Sequence, residues 1–327
     1  MNIDAHFHCI PPEYLSCLRN SGRSLFRETL IENGAERRIQ TAAGSFPVPD
    51  TFTHPDAVLR HMDSMKLDKA FLSVPPFLFG YERSVPEGIL LSQTLNQWIL
   101  NLSAQFPDRL LPMGNLPMQD TEAAMEELQR CSEQGMRFFQ IGSSMEGHLY
   151  DEERFLPFFQ ECSRRKAVLL LHPYYSGRGE WASRYYLSNL CGYPMETTFG
   201  CISMIFGGVF DHAPNLRIIA CHGGGAFPYL FGRFCHGYQM RNEPKSCCLR
   251  SPEFYLKHFY FDTMIFRREQ LRFLVEFAGA GHVVLGTDHG FDMGMENPVD
   301  FVKSAGFSSE DTQKILGENL LSLLDRK

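Results

Sequence analysis

The segment "DAHFH" sets His6 and His8 two residues apart at the end of an apolar run. In an extended strand successive side chains point to opposite faces, so both imidazoles share one face and can converge on a point. A metal-ligand pair has this spacing, and so does a purely structural pair, so the other strand ends must decide. His172 closes "LLLHP", His222 follows the apolar run in "ACHGGG", and Asp288 ends "LGTDHG". Five metal-competent side chains at the ends of separate apolar runs are difficult to assign to packing. Imidazoles with one carboxylate suit zinc, and manganese or iron fit the same donors, whereas a hard, oxygen-seeking ion would call for more acids. His6, His8, His172 and Asp288 are accordingly assigned to one divalent ion with room for a water, which a bound cation makes far more acidic. His222 would stand beside that water as acid/base or carbonyl-orienting group, although it could instead bind a second ion. The fourth run, "QIGSS", ends without a lysine that could bridge two metals, so a mononuclear site is expected.

Around this set, His289 follows Asp288 at the expected pocket rim and is a candidate substrate contact. Phe46 and Phe291 lie where a pocket wall is expected. The glycines of "HGGGAFP" could cradle an anion or simply make a tight strand-to-helix turn. His54, His61, His148, His212, His236, His258 and His282 read as surface or capping residues.

The elements that must carry these groups are eight β-rich runs, from "NIDAHF" to "HVVLGTDHG", alternating with amphipathic segments such as "PDAVLRHMDSMKL" and "TEAAMEELQRCSEQ". Strands separated by helices demand a parallel sheet, and eight such units favour a (β/α)₈ TIM-type barrel over a doubly wound sheet. Such barrels draw functional groups from the C-terminal ends of their strands, where all five residues lie. One domain over residues 1–327 is expected, with a small irregular or hairpin insertion at about 13–55 after the first strand. A long loop excursion, "GRFCHGYQMRNEPKSCCLRSPEF", follows the sixth. The 327 residues, 44% hydrophobic and 21% charged, suffice for a large core, and a net charge of −7 leaves no basic footprint for nucleic acid or an anionic membrane. The chain opens without a cationic, apolar leader, and "FGCISMIFGGVF" is shorter than the roughly 20 apolar residues a spanning helix needs. Ten cysteines without a Cys-x-x-Cys pair read as free thiols of a cytoplasmic protein.

"DAHFH", "LPMQDTEAAMEELQRC", "QIGSS", "VVLGTD" and above all the long run from "PMETTFG" through "ACHGGGAFPYLFGRFCHGYQMR" resemble the amidohydrolase superfamily, in its aminocarboxymuconate-semialdehyde decarboxylase branch. The resemblance covers most of the chain. It implies a (β/α)₈ barrel, one zinc or similar ion on His6, His8, His172 and Asp288, His222 as catalytic acid/base, and no organic cofactor. It also implies a homodimer in which Arg241 reaches the neighbouring subunit's pocket and holds a substrate carboxylate. Departures cluster in the substrate-reading positions. Pro47 stands where that branch carries an arginine after the phenylalanine matching Phe46, Thr41 replaces a basic residue, His289-Gly290-Phe291 replaces Tyr-Pro-Phe, and a tryptophan is missing near "RYYLSNLCGYP". Loss of a bidentate arginine weakens recognition of a dianion. The expected activity is therefore metal-dependent, non-oxidative decarboxylation of a different small unsaturated, aromatic or cyclic carboxylic acid. A hydrolase or hydratase using the same activated water is the alternative, and a noncatalytic binding protein that kept the barrel is a third reading.

Overall fold

A computed structural model describes residues 1–20, 26–34, 36–41, 44–174, 182 and 184–325. Among the described residues eleven strands are formed: β1 (Ile3–His8), β2 (Thr29–Asn33), β3 (Glu36–Thr41), β4 (Gly44–Pro47), β5 (Lys69–Ser73), β6 (Leu110–Asn115), β7 (Phe138–Gly142), β8 (Val168–His172), β9 (Arg217–Ala220), β10 (Phe259–Asp262) and β11 (Val283–Val284). Eight of them make one sheet in the order β1-β5-β6-β7-β8-β9-β10-β11, and the paired strands are parallel. The chain after β11 then bonds back to β1, through Ala5 N–H to Leu285 O at 2.9 Å and Asp288 N–H to His6 O at 2.9 Å. This seam closes the (β/α)₈ barrel. It is reinforced where the buried Thr287 hydroxyl donates to Asp4 Oδ2 at 2.5 Å.

Two apolar layers result from strand alternation. Ile3, Ala5, Phe71, Met113, Phe138, Val168, Leu170, Ile219 and Val284 fill the interior, and Leu320 and Leu323 of the last helix close its lower end. The opposite faces pack on helices that include Pro55–Ser64, Val85–Gln105, Thr121–Glu133, Leu156–Arg165, Tyr193–Phe206, Phe227–Met240 and Arg268–Ala278. Local signals start several of these helices. Ser84 and Glu87 form a capping box, and Asp120 accepts from Ala123 N–H.

The insertion after β1 is more regular than a loop or a two-stranded hairpin. A helix, Pro12–Arg19, leads to the antiparallel sheet β2-β3-β4, in which Ile39 pairs with Phe46 and Arg38 with Pro47. Its strands are half exposed and lack clean alternation, which conceals them in the sequence. The second excursion is also shorter than expected. Its first part continues the helix Phe227–Met240, whose Phe227, Phe231 and Phe234 share the buried face. No helix among the described residues is long and apolar enough to cross a membrane.

Left-handed backbone shapes the turn after β9: φ is +55° at His222, +61° at Gly223, +79° at Gly224 and +63° at Gly225. Its amides are occupied internally, Gly223 by Asp262 Oδ1, Gly224 by Cys221 O, Gly225 by His222 O and Ala226 by Thr198 Oγ1. The glycines thus make a tight turn and not an anion cradle. A Cβ at Gly225 would lie 2.0 Å from Pro194 O, whereas one at the exposed Gly281 would meet nothing within 4 Å. Gly225→Ala should cost about 2–4 kcal/mol of unfolding free energy in denaturant titration. Gly281→Ala should be neutral or slightly stabilising, and equal effects of the two changes would refute this account of the turn.

Candidate metal centre

His6 and His8 leave the barrel wall on the same side at the top of β1, beside the seam that brings in Asp288. His6 Nε2 lies 3.1 Å from His8 Nε2, and each is 3.2 Å from Asp288 Oδ1. From β8, His172 Nε2 approaches the same oxygen at 3.8 Å. His222 Nε2 stands on the other side of the carboxylate, 3.4 Å from Oδ2. All five residues named by their strand-end positions therefore meet in one place.

Which ring nitrogens carry protons follows from their other partners. His6 Nδ1 donates to Asp262 Oδ2 at 2.7 Å, His8 Nδ1 to Val74 O at 3.1 Å, with the nearby Ser73 hydroxyl, 3.0 Å away, donating to Phe7 O, and His172 Nδ1 to Pro173 O at 2.7 Å. A carboxylate and two carbonyls can only accept, so each Nδ1 keeps its hydrogen and each Nε2 turns a lone pair inward. Three lone pairs then face one carboxylate oxygen, and His172 Nε2 and Asp288 Oδ1 are buried without a hydrogen-bond partner among the described residues. Ligands about 2.1 Å from a tetrahedral ion stand roughly 3.4 Å apart. The observed separations of 3.1 to 3.8 Å match that spacing, so the donor set fits a divalent cation.

The electrostatics agree with the donor pattern at His8 and His172, and at His6 they show how strongly the cluster draws positive charge. Burial lowers His172 to a pKa of about 3 and also lowers His8, keeping both rings neutral. Burial opposes charge on His6, yet its acidic neighbours, among them Asp288 and Asp262, raise its pKa well above the ordinary value. The Cys221 thiol, 4.0 Å from His6 Nε2, stays protonated because burial pushes it up to about 12. Burial by itself would raise Asp288, but His6, His172 and His222 outweigh it and hold the carboxyl well below its usual range. His222 is the most exposed member, its side chain 19% accessible. Its Nδ1 finds no hydrogen-bond partner among the described residues. Both His222 and Asp288, at φ +55° and +51°, sit in left-handed backbone that costs about 1–3 kcal/mol for a residue with a side chain.

An aromatic wall borders the cluster. Phe291 lies edge-on to His8 at 5.4 Å, and Phe46 stacks on Phe77 at 5.2 Å and meets Phe291 at 6.2 Å. His289 does not belong to this wall's inner face. The left-handed backbone at Asp288 turns the chain away from the cluster: His289 stacks on Phe7 at 4.2 Å and bonds to Thr51 O at 2.8 Å. Burial lowers its pKa to about 4, and the ring faces away from the cluster that the expected substrate contact would have bordered. A cavity of about 390 Å³ lies behind it, lined by Arg37, Pro47, Thr51, His61, His289 and Phe291 among others, with none of the five clustered residues. Arg241 is equally remote. It caps the far end of the 14-residue helix Phe227–Met240, about 20 Å along the axis from the His222 turn, where it is exposed and paired with Glu243.

His258 also departs from expectation. It is buried, stacked on Phe210 at 4.6 Å and bonded to Leu216 O, which makes it a core residue. His61 is half-buried against the His289 ring at 4.8 Å. Asp262 is the functional residue absent from the sequence-based set, although an acid at the end of "FYFD" is the same signal that marks Asp288. It fixes His6 through Oδ2 and takes the Gly223 and Met264 amides on Oδ1.

The Amidohydro_2 (amidohydrolase) family model matches residues 3–325, and the chain belongs to the amidohydrolase family. It is 36% identical to the 2-amino-3-carboxymuconate-6-semialdehyde decarboxylase of Dictyostelium discoideum, over 99% of this chain and 91% of that protein. Its fold superposes on the apo form of IDCase from Metarhizium anisopliae with a TM-score of 0.84, at 23% identity over 99% and 97% of the two chains. A dihydroxybenzoic acid decarboxylase from Polaromonas sp. JS666, described with bound manganese and 2-nitroresorcinol, gives a TM-score of 0.76 at 20% identity over 99% and 96%.

Asp262→Asn tests the tautomer assignment. Its amide oxygen would stay with the Gly223 and Met264 N–H groups, turning an NH₂ toward His6 Nδ1 and forcing the proton onto Nε2. Zinc affinity, measured by chelator competition, should fall about 10–100-fold while the metal-free fold is retained. Unchanged affinity would contradict the inward lone pair.

Proposed function

We propose that this chain is a metal-dependent, non-oxidative decarboxylase acting on a small unsaturated, aromatic or cyclic carboxylic acid. The observation that carries the proposal is the convergence of His6, His8, His172 and Asp288, with His222 at the accessible edge. It is supported by the near full-length similarity to a decarboxylase. His6, His8, His172 and Asp288 would hold one divalent ion, zinc by the chemistry of the donors, with manganese or iron as the other candidates. When bound, that ion supplies positive charge that polarises a substrate oxygen or a water.

Loss of carbon dioxide leaves an electron pair on carbon, and protonating that carbon first removes the difficulty. His222 is assigned to this proton transfer. Once the carbon is protonated, its bond to the carboxylate breaks, the electron pair re-forms the double bond and CO₂ departs. Asp288, through Oδ2, orients the His222 ring. Phe46 and Phe291 would flank the substrate's planar part, and Pro47 provides no charge for a second carboxylate. No organic cofactor is needed by this scheme.

Arg241 is assigned to the neighbouring subunit's pocket in a homodimer, since the helix length keeps it from its own. Exposed Phe199, Tyr229 and Met240 on the two adjacent helices, 53%, 80% and 67% accessible, favour such a partner. All ten cysteines are free thiols, which fits a cytoplasmic setting.

Carbon dioxide release from a panel of unsaturated and aromatic acids is the direct test. Release should occur with at least one acid, vanish after chelator dialysis and return with zinc or manganese; His222→Asn should lower kcat about 10²–10⁴-fold. Hydrolysis without CO₂ from every compound turned over would replace the proposal with the hydrolase reading. The trans role of Arg241 has its own test, in mixing inactive Arg241→Ala and His222→Asn subunits. Equal mixing with free exchange leaves one intact site per heterodimer and should restore about a quarter of parent activity. A mixture as inactive as its components would exclude it.

A further inference from the structure

We infer that Glu196 is a positioning residue that sets the donor strength of His172 through a single peptide group. It deepens the reading of His172 as a metal ligand and rests on it. Glu196 lies in the first turn of the helix Tyr193–Phe206, only 7% exposed, outside the cluster already described. Its Oε2 accepts the Tyr174 N–H at 2.9 Å, and its Oε1 accepts the Ser144 hydroxyl at 2.7 Å. The carbonyl on the other side of that same peptide, Pro173 O, accepts His172 Nδ1–H at 2.7 Å.

The chain of contacts thus runs from a buried carboxylate through the Pro173–Tyr174 peptide to an imidazole and its inward lone pair. Negative charge at the N–H end of a peptide drives electron density onto its carbonyl oxygen, and hydrogen bonds in series strengthen one another by about 10–30% each. A stronger acceptor at Nδ1–H makes the opposite nitrogen a better donor, as carboxylates bonded directly to ligand histidines do. His6 receives this help from Asp262 in direct contact, and His172 receives it one peptide removed. The Ser144 bond holds the carboxylate in the required orientation.

A merely structural tether between the ends of β7 and β8 would need the hydrogen bonds but not the charge, and the test separates the two. In Glu196→Gln the amide oxygen keeps Tyr174 N–H and the amide nitrogen donates to Ser144 Oγ, so both of these bonds survive without the charge. Affinity for zinc by chelator competition should fall about three- to tenfold, and the downfield His172 Nδ1–H proton resonance should move upfield, with the metal-free melting temperature nearly unchanged. Ser144→Ala, which keeps the charge and the Tyr174 bond, should hold zinc affinity within about twofold and remains decisive should the glutamine variant fail to fold. Equal zinc affinity and an unmoved resonance in Glu196→Gln would overturn the inference while leaving the ligand set intact. So would a Ser144→Ala loss as large as about tenfold. A parent protein that binds no zinc would overturn the ligand reading and this inference with it.

Discussion

Three imidazole lone pairs and a carboxylate oxygen aimed at one buried point repel each other unless positive charge lies between them, and the upper half of this barrel is organised around that constraint. The three Nδ1–H groups are tied to an acid and two carbonyls, so the rings cannot relieve the repulsion by exchanging tautomers. The seam between β1 and the segment after β11 fixes the Asp288 backbone against His6, so the carboxylate can retreat only by rotating its own side chain. His222 and Asp288 both retain unfavourable left-handed backbone, a cost borne by the surrounding packing. The lower half is apolar and makes no such demand: it supplies the rigid base on which the strained upper layer stands.

This division determines how much is legible in the sequence. All eight barrel strands can be read because their apolar runs are short, regularly spaced and interrupted by helical periodicity. His6, His8, His172, His222 and Asp288 stand out because packing alone seldom requires a polar residue at the end of such a run. The placement of His289 is not legible in the same way, because the left-handed turn at Asp288 that swings it onto Phe7 leaves no mark in the sequence. Asp262 carries a signal as strong as that of Asp288 but is hidden among the aromatic residues of β10. Glu196 carries none, because a single acid within an apolar helical run shows nothing of its partner until the peptide opposite it is seen. The sheet β2-β3-β4 escapes detection for a different reason: with both faces partly wet, nothing enforces a two-residue rhythm.

Family membership and geometry address different layers of the same site. The features common to amidohydrolases concern how the five clustered side chains are delivered, and these depend on strand order and closure. The features that depart from the decarboxylase branch, Pro47, Thr41 and the residues after Asp288, lie on the inserted sheet and on the loop facing it. The inserted sheet and the loop after Asp288 meet where Phe46 packs against Phe291.

The inserted sheet pairs its strands only with one another, and the barrel seam runs elsewhere. It sits on the barrel as a visor, anchored by the fully buried Ile39 and by the Glu28–Arg83 ion pair at its root, so side chains on its exposed strand faces can change without unseating the staves behind them.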